Sequence, residues 1–177
     1  LLTADNYVLA MGVWSPKLSR TVGQDLPVYP AKGFSMTFDL KDKSKAPELG
    51  GVDEKTLVAW SPMGDQLRMS STAQFSGFDA SHKPEDFSAI RSTAKELWPD
   101  AADWDGGSMT AGLRPMTPDG PPIIGKGKKH KNLYYNTGHG HMGWTMASGS
   151  SAAIVDIIAG RTPEIAMDPF VVRTYRK

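Results

Sequence analysis

Leu133-Tyr134-Tyr135-Asn136-Thr137-Gly138-His139-Gly140-His141-Met142-Gly143-Trp144-Thr145-Met146 is the stretch on which the architecture turns. Leu133 to Asn136 reads as a short apolar strand. Thr137 to Gly143 is then a glycine-rich loop, and a helix runs from about Trp144 to Ala159, with Gly160 at its C′ position. Glycines at every second or third position free the backbone for positive φ and for close contact. The helix start offers unpaired N–H groups and a partial positive charge, which suits an anion or a ring that gains electrons on reduction. A glycine-rich helix entry also occurs with no ligand at all, and both readings stay open on these residues alone. The first turns of the helix are small (Ala147, Ser148, Gly149, Ser150, Ser151, Ala152, Ala153), while Ile154, Val155, Ile157 and Ile158 make the rest apolar almost all round. Small residues admit a neighbouring backbone or a flat ligand; tight helix packing is the plainer explanation.

Upstream of this stretch, Gly106 to Arg114 reads as a strand and Pro115 to Gly127 as a Pro/Gly-rich loop around Ile123-Ile124. Arg114 ends the strand and is fixed by Pro115. A guanidinium held there grips a carboxylate through two parallel hydrogen bonds, or else pairs at the surface with an acid such as Asp119. Pro84 to Trp98 is a helix with Phe87, Ile90, Ala94 and Leu97 at helical spacing, stopped by Pro99. Thr56 to Trp60 and Gln66 to Thr72 flank the turn-like Ser61–Asp65 and read as an antiparallel hairpin. Val28 to Phe38 is a long strand with a bulge or close contact at Gly33. Leu40 to Glu54 is a charged loop or wide connection.

At the start, Leu1 to Gly12 reads as a buried strand already under way, with Tyr7 to Met11 typical of a central parallel strand. Ser15 caps a short helix that ends at Gly23. With no initiator Met and no leader, the chain is expected to be a fragment or processed product. The fold class is α+β: a mostly antiparallel sheet with helices, bracketed by a first strand and a last helix that belong to another layer.

The 177 residues carry a net charge of +1 and 40% apolar residues, so nothing global points to nucleic acid or an anionic membrane. The absence of cysteine excludes disulfides, thiolate zinc sites and thiol nucleophiles. His139-Gly140-His141 has a spacing found in metal sites, but no carboxylate or further His completes a ligand set, so no metal is expected. No apolar run is long enough to span a membrane.

Several stretches resemble the D-amino-acid dehydrogenases within the wider glycine-oxidase and D-amino-acid-oxidase-like superfamily: Asp5 to Pro16, Leu26 to Ser35, Leu67 to Phe75, Gly112 to Gly120 and Asn136 to Met146. The last two are the most specific, and the order is collinear along essentially the whole chain. The resemblance implies FAD as cofactor and a small amino acid as substrate, a D-amino acid foremost, with glycine, sarcosine and opines left open. Residues 1–25 would end the FAD-binding domain, 26–114 form the substrate domain, and 115–177 return to an incomplete FAD-binding domain. It further implies that Arg114 binds the substrate carboxylate. Gly12 and Trp14 would lie at the end of the FAD-domain strand. Gly138, His139, Gly140 and Gly143 would wrap the flavin, with Trp144 and Thr145 opening the helix aimed at its pyrimidine edge. A role for His141 is not implied. The pyrophosphate-binding G-x-G-x-x-G fingerprint is expected in a missing N-terminal half and not after any strand of this chain, so the chain alone should bind FAD weakly or not at all. The remaining expectations are a cytoplasmic protein, with peripheral contact to the inner face of the membrane or the respiratory chain and homodimerisation left open. The competing reading is a non-catalytic packing module that needs a missing domain or partner.

Overall fold

A computed structural model describes residues 2–173. In chain order the elements are β1 (Tyr7–Leu9), α1 (Ser15–Thr21), β2 (Tyr29–Asp39), β3 (Gly51–Asp53), β4 (Val58–Met63) and β5 (Gln66–Gln74). They continue with α2 (Ser88–Leu97), β6 (Ser108–Met116), β7 (Ile123–Lys126), β8 (Leu133–Thr137) and α3 (Gly143–Ile158). The α+β expectation holds. The chain divides into two compact units, one formed by Ala31–Leu113 and the other by Leu1–Pro30 with Arg114–Lys177.

The Ala31–Leu113 unit is built on a sheet of order β3-β4-β5-β2-β6. Alternation on β2 sends Phe34, Met36 and Phe38 to one face, opposite Met69 and Leu67 of the antiparallel β5. The helical Phe87, Ile90 and Ala94 close over that face with Trp104. Phe34 meets Phe87 edge-on at 5.6 Å, and Phe38 meets Trp104 at 4.9 Å. The expected irregularity at Gly33 is present as a register shift between Gly33 and Phe34. Lys32, only 3% exposed, turns its ammonium to the Ser81 carbonyl at 2.9 Å and to Asp79 at 3.5 Å, so its charge is neutralised rather than stranded in the core.

Several boundaries differ from the sequence reading. The hairpin turn is two residues, Gly64-Asp65, because Met63 pairs with Gln66 and Gly64 takes the positive φ that such a tight turn needs. Ser61 and Pro62 therefore lie in β4. The connection from Leu40 to Glu54 contains β3, which pairs with β4 through Trp60, Ala59 and Val58. Leu97 is 44% exposed and not part of the core, because α2 turns its Ile90–Ala94 stripe inward.

The other unit has a three-stranded sheet of order β1-β8-β7, with β1 parallel and β7 antiparallel to β8. Ile124 and Tyr134 face Ala153 and Ile154 of α3. Ile123 and Tyr135 face the other way, onto Leu9, Leu26, Val28 and Val172. Among the described residues β1 lies at the edge of this sheet and does not hold the central place. β8 does, and two of the three β1 residues, Tyr7 and Val8, are exposed. An apolar run reads the same in a central strand and at an edge. The expected strand start at Leu1 lies outside the described residues. The Pro115–Gly127 loop also resolves into structure, with Pro115 and Met116 finishing β6 and Ile123–Lys126 forming β7. Among the described residues no helix is long and apolar enough to cross a membrane.

The two α2 positions give a direct check of this core. Ile90→Ala, at a fully buried site, should cost about 2–5 kcal/mol in chemical denaturation. Leu97→Ala should change stability by no more than about 0.5 kcal/mol.

Candidate active-site cleft

The site grows from the adjacent ends of β1 and β8. Gly12 follows β1 with φ of +53°, a conformation strained for a residue with a Cβ, and opens a short 3-10 turn into α1. Thr137, at the end of β8 and almost fully buried, donates its hydroxyl to the Gly12 carbonyl at 3.1 Å. It accepts in turn from the Ser15 hydroxyl at 3.0 Å, while Ser15 takes the Met11 N–H at 3.1 Å. Ser15 was expected to cap α1. It is instead the first residue of the helix, and its hydroxyl reaches back to lock the strand end.

Beyond Thr137 the chain turns at Gly138, with φ of +81°; a Cβ there would fall 2.8 Å from Cγ2 of Thr117. The Gly140 N–H donates to the Pro115 carbonyl at 2.9 Å, tying the loop to the end of β6. His139 places Nε2 2.9 Å from the hydroxyl of Ser150, two turns inside α3, and is half-buried. Burial holds its imidazole below the ordinary value near 6.5, so the ring is neutral at physiological pH. α3 then begins with no side-chain cap and no acidic residue in its first turn.

These pieces enclose a cleft of about 340 Å³, a size in the range of small-molecule pockets. One wall is the α3 face Gly143, Ala147, Ser150 and Ser151, which recur at helical spacing. Facing them are Ala10 and Gly12, Pro115, and the run Asn136 to Gly140. Among the described residues the cleft lining contains no carboxylate and one titratable side chain, His139. Asn136 adds a buried side-chain oxygen with no hydrogen-bond partner among the described residues.

Of the residues singled out from sequence, Gly12, Gly138, His139, Gly140 and Gly143 meet at this cleft. Arg114 is half-buried on β6 directly before Pro115. Trp14, Trp144 and Thr145 lie outside the lining; Trp144 is 95% exposed. The small stripe of α3 does not pack broadly against the first strand. It shares the cleft with Ala10 and Gly12, and most of its residues stay accessible. Apolar surface is exposed at Tyr7, Val8, Met11, Trp14, Met142 and Trp144, while Leu9 and Val13 are buried. Asp119 gives both carboxylate oxygens to the Arg173 guanidinium, at 2.6 and 2.7 Å, which makes it a loop anchor. His141 is exposed, and among the described residues no three His, Asp or Glu side chains gather as a metal set.

Sequence reasoning missed Asn136, Thr137, Pro115 and Ser150. Their signals were an alternation along Leu133–Thr137 and a seven-residue step from Gly143 to Ser150. It also missed that Gly138-His139-Gly140-His141-Met142-Gly143 itself has G-x-G-x-x-G spacing, after a strand and opening a helix. Among the described residues no further strand follows α3.

A family model for FAD dependent oxidoreductases (DAO) matches residues 2–157. The chain belongs to that family. D-amino acid dehydrogenase 2 of Mesorhizobium japonicum is 51% identical over 164 residues, covering 93% of this DAO-family chain and 39% of its own length. D-amino acid dehydrogenase of a Methylobacterium species is 43% identical over the whole chain, which corresponds to 42% of that protein. Glycine oxidase from Geobacillus kaustophilus superposes with a TM-score of 0.88 over 99% of this chain and 47% of its own, at 22% identity, which establishes the shared fold. The chain thus spans about two fifths of the length of the curated relatives it matches.

His139 gives the cleft a pH signature. Its folded-state value lies below 6.5, so between the two values the unfolded chain takes up a proton that the folded chain refuses. Acidification through this window therefore favours unfolding. The thermal midpoint of the protein should fall as pH drops below about 6.5, and His139→Gln, which retains a hydrogen-bonding partner for Ser150, should flatten that dependence.

Proposed function

We propose that the whole protein is an FAD-dependent dehydrogenase that oxidises a small D-amino acid to a 2-oxo acid and ammonia. The observation that carries this reading is the 51% identity to a D-amino acid dehydrogenase across nearly all of the chain. The cleft fits a flavin on its own physical terms. Its lining has no carboxylate to repel negative charge, its helix start is uncapped, and Asn136 holds a buried oxygen in want of a donor.

On this reading Gly12 and the Gly138–Gly143 loop hold the flavin ring, and residues 1–25 and 115–177 belong to the FAD-binding domain. Residues 26–114 form the substrate domain. When bound, FAD supplies the two-electron acceptor for a hydride leaving the α-carbon of the amino acid. The imino acid that results takes up water and releases ammonia. The protein's part is orientation and charge. The α3 N-terminus favours negative charge at the ring edge. Neutral His139, held by Ser150, keeps the loop in place without adding a cation. Arg114 grips the substrate carboxylate and so fixes the α-hydrogen. No side chain is needed as base if the amine binds uncharged.

The chain alone, at two fifths of its relatives' length, is expected to retain little or no FAD. The full-length protein should purify with flavin absorbance; a colourless, flavin-free protein that gains no flavin on reconstitution would count against the reading. A charge-assisted clamp contributes about 1.5–3 kcal/mol net, so Arg114→Lys should lower kcat/KM for a D-amino acid by roughly ten-fold or more, and Arg114→Ala by more still. Flavin content should be unchanged and stability altered by less than about 1 kcal/mol. An unchanged specificity constant for Arg114→Ala would remove this residue from the site.

A further inference from the structure

Among the described residues no donor reaches the buried side-chain oxygen of Asn136, yet Asn136 lines the cleft. Leaving such an acceptor dry and unpaired is costly, and folded proteins rarely do so without reason. The register explains how it comes to be there. Alternation along β8 turns Tyr135 and Thr137 toward α1, where their hydroxyls meet Ser19 and Ser15. Tyr134 and Asn136 therefore face α3. Tyr134 is buried against Ala153 and Ile154, but one step along the strand the helix presents only Ala147, Ser150 and Ser151. The Ser150 hydroxyl is already engaged by His139. Asn136 thus lies where the helix wall has receded, beside an open volume instead of a packed neighbour.

We propose that Asn136 is a ligand-positioning residue of the cleft, its side-chain oxygen accepting a hydrogen bond from an N–H or O–H of the bound flavin. The inference rests on the flavin reading of this cleft. It makes Asn136 different in kind from Thr137 beside it: Thr137 has protein partners on both sides and holds the fold, whereas the Asn136 oxygen has none and serves the ligand.

The roles separate by opposite effects on the empty and loaded protein. In the full-length protein, Asn136→Leu keeps the approximate volume and removes the unpaired acceptor. The apoprotein should melt at the same temperature or higher, while FAD binds roughly ten-fold more weakly, the size of one lost neutral hydrogen bond. Asn136→Asp keeps an acceptor, so its FAD affinity should stay nearer to that of the parent. Its added negative charge should move the flavin midpoint potential to more negative values. Titration of apoprotein with FAD, thermal melting of both forms and a spectroscopic redox titration read these three quantities. Equal FAD affinity in parent and Leu variant, equal loss in the Leu and Asp variants, or a fall in apoprotein melting temperature for the Leu variant would overturn the proposal. A parent protein that binds no FAD would instead overturn the flavin reading itself.

Discussion

The Thr137 hydroxyl carries more of this structure than its size suggests. It donates to one strand end and accepts from the helix that follows it, so β1, α1 and β8 are fixed to one another at a single buried point. Both chains of residues that form the cleft start there: the Gly12 turn on one side and the Gly138–Gly143 loop on the other. A buried hydroxyl with both capacities filled is stabilising and directional. A methyl group in its place would leave the Gly12 carbonyl and the Ser15 hydroxyl to find new partners, and the cleft would lose its reference point before any ligand contact changed.

Within each unit, buried or half-buried charges are met by a partner. Asp119 is held by Arg173, and Asp79 lies beside Lys32. What the cleft offers is short-range polarity from backbone, hydroxyls, one neutral imidazole and one amide. Among the described residues that line it, no carboxylate opposes a ligand that gains negative charge.

Much of this was legible in the residues. The bulge at Gly33, the Phe87–Ile90–Ala94 stripe and the strand–loop–helix order around Gly138 follow from local chemistry: glycine conformational freedom, helical spacing and proline stops. β3 and β7 were not legible, since strands of three and four residues inside Pro/Gly-rich connections exist only because β4 and β8 offer them an edge. The exposed edge position of β1 was hidden for the same reason: an apolar run does not say how many neighbours it has. Asn136 and Ser150 lay in plain view as polar residues, but their facing depends on which side of β8 the helix occupies, and that is a tertiary fact. The G-x-G-x-x-G spacing of Gly138, Gly140 and Gly143 is legible in the residues themselves.

The α3 wall of the cleft has a consequence for the thermodynamics of whatever docks there. Gly143, Ala147, Ser150 and Ser151 have few or no rotamers to lose, and Ser150 is already restrained by His139. A ligand settling on this wall therefore freezes almost no side-chain motion, and the entropic penalty that accompanies most recognition surfaces is nearly absent. A wall of leucines or lysines could offer more contact area, but it would have to be ordered each time the site filled.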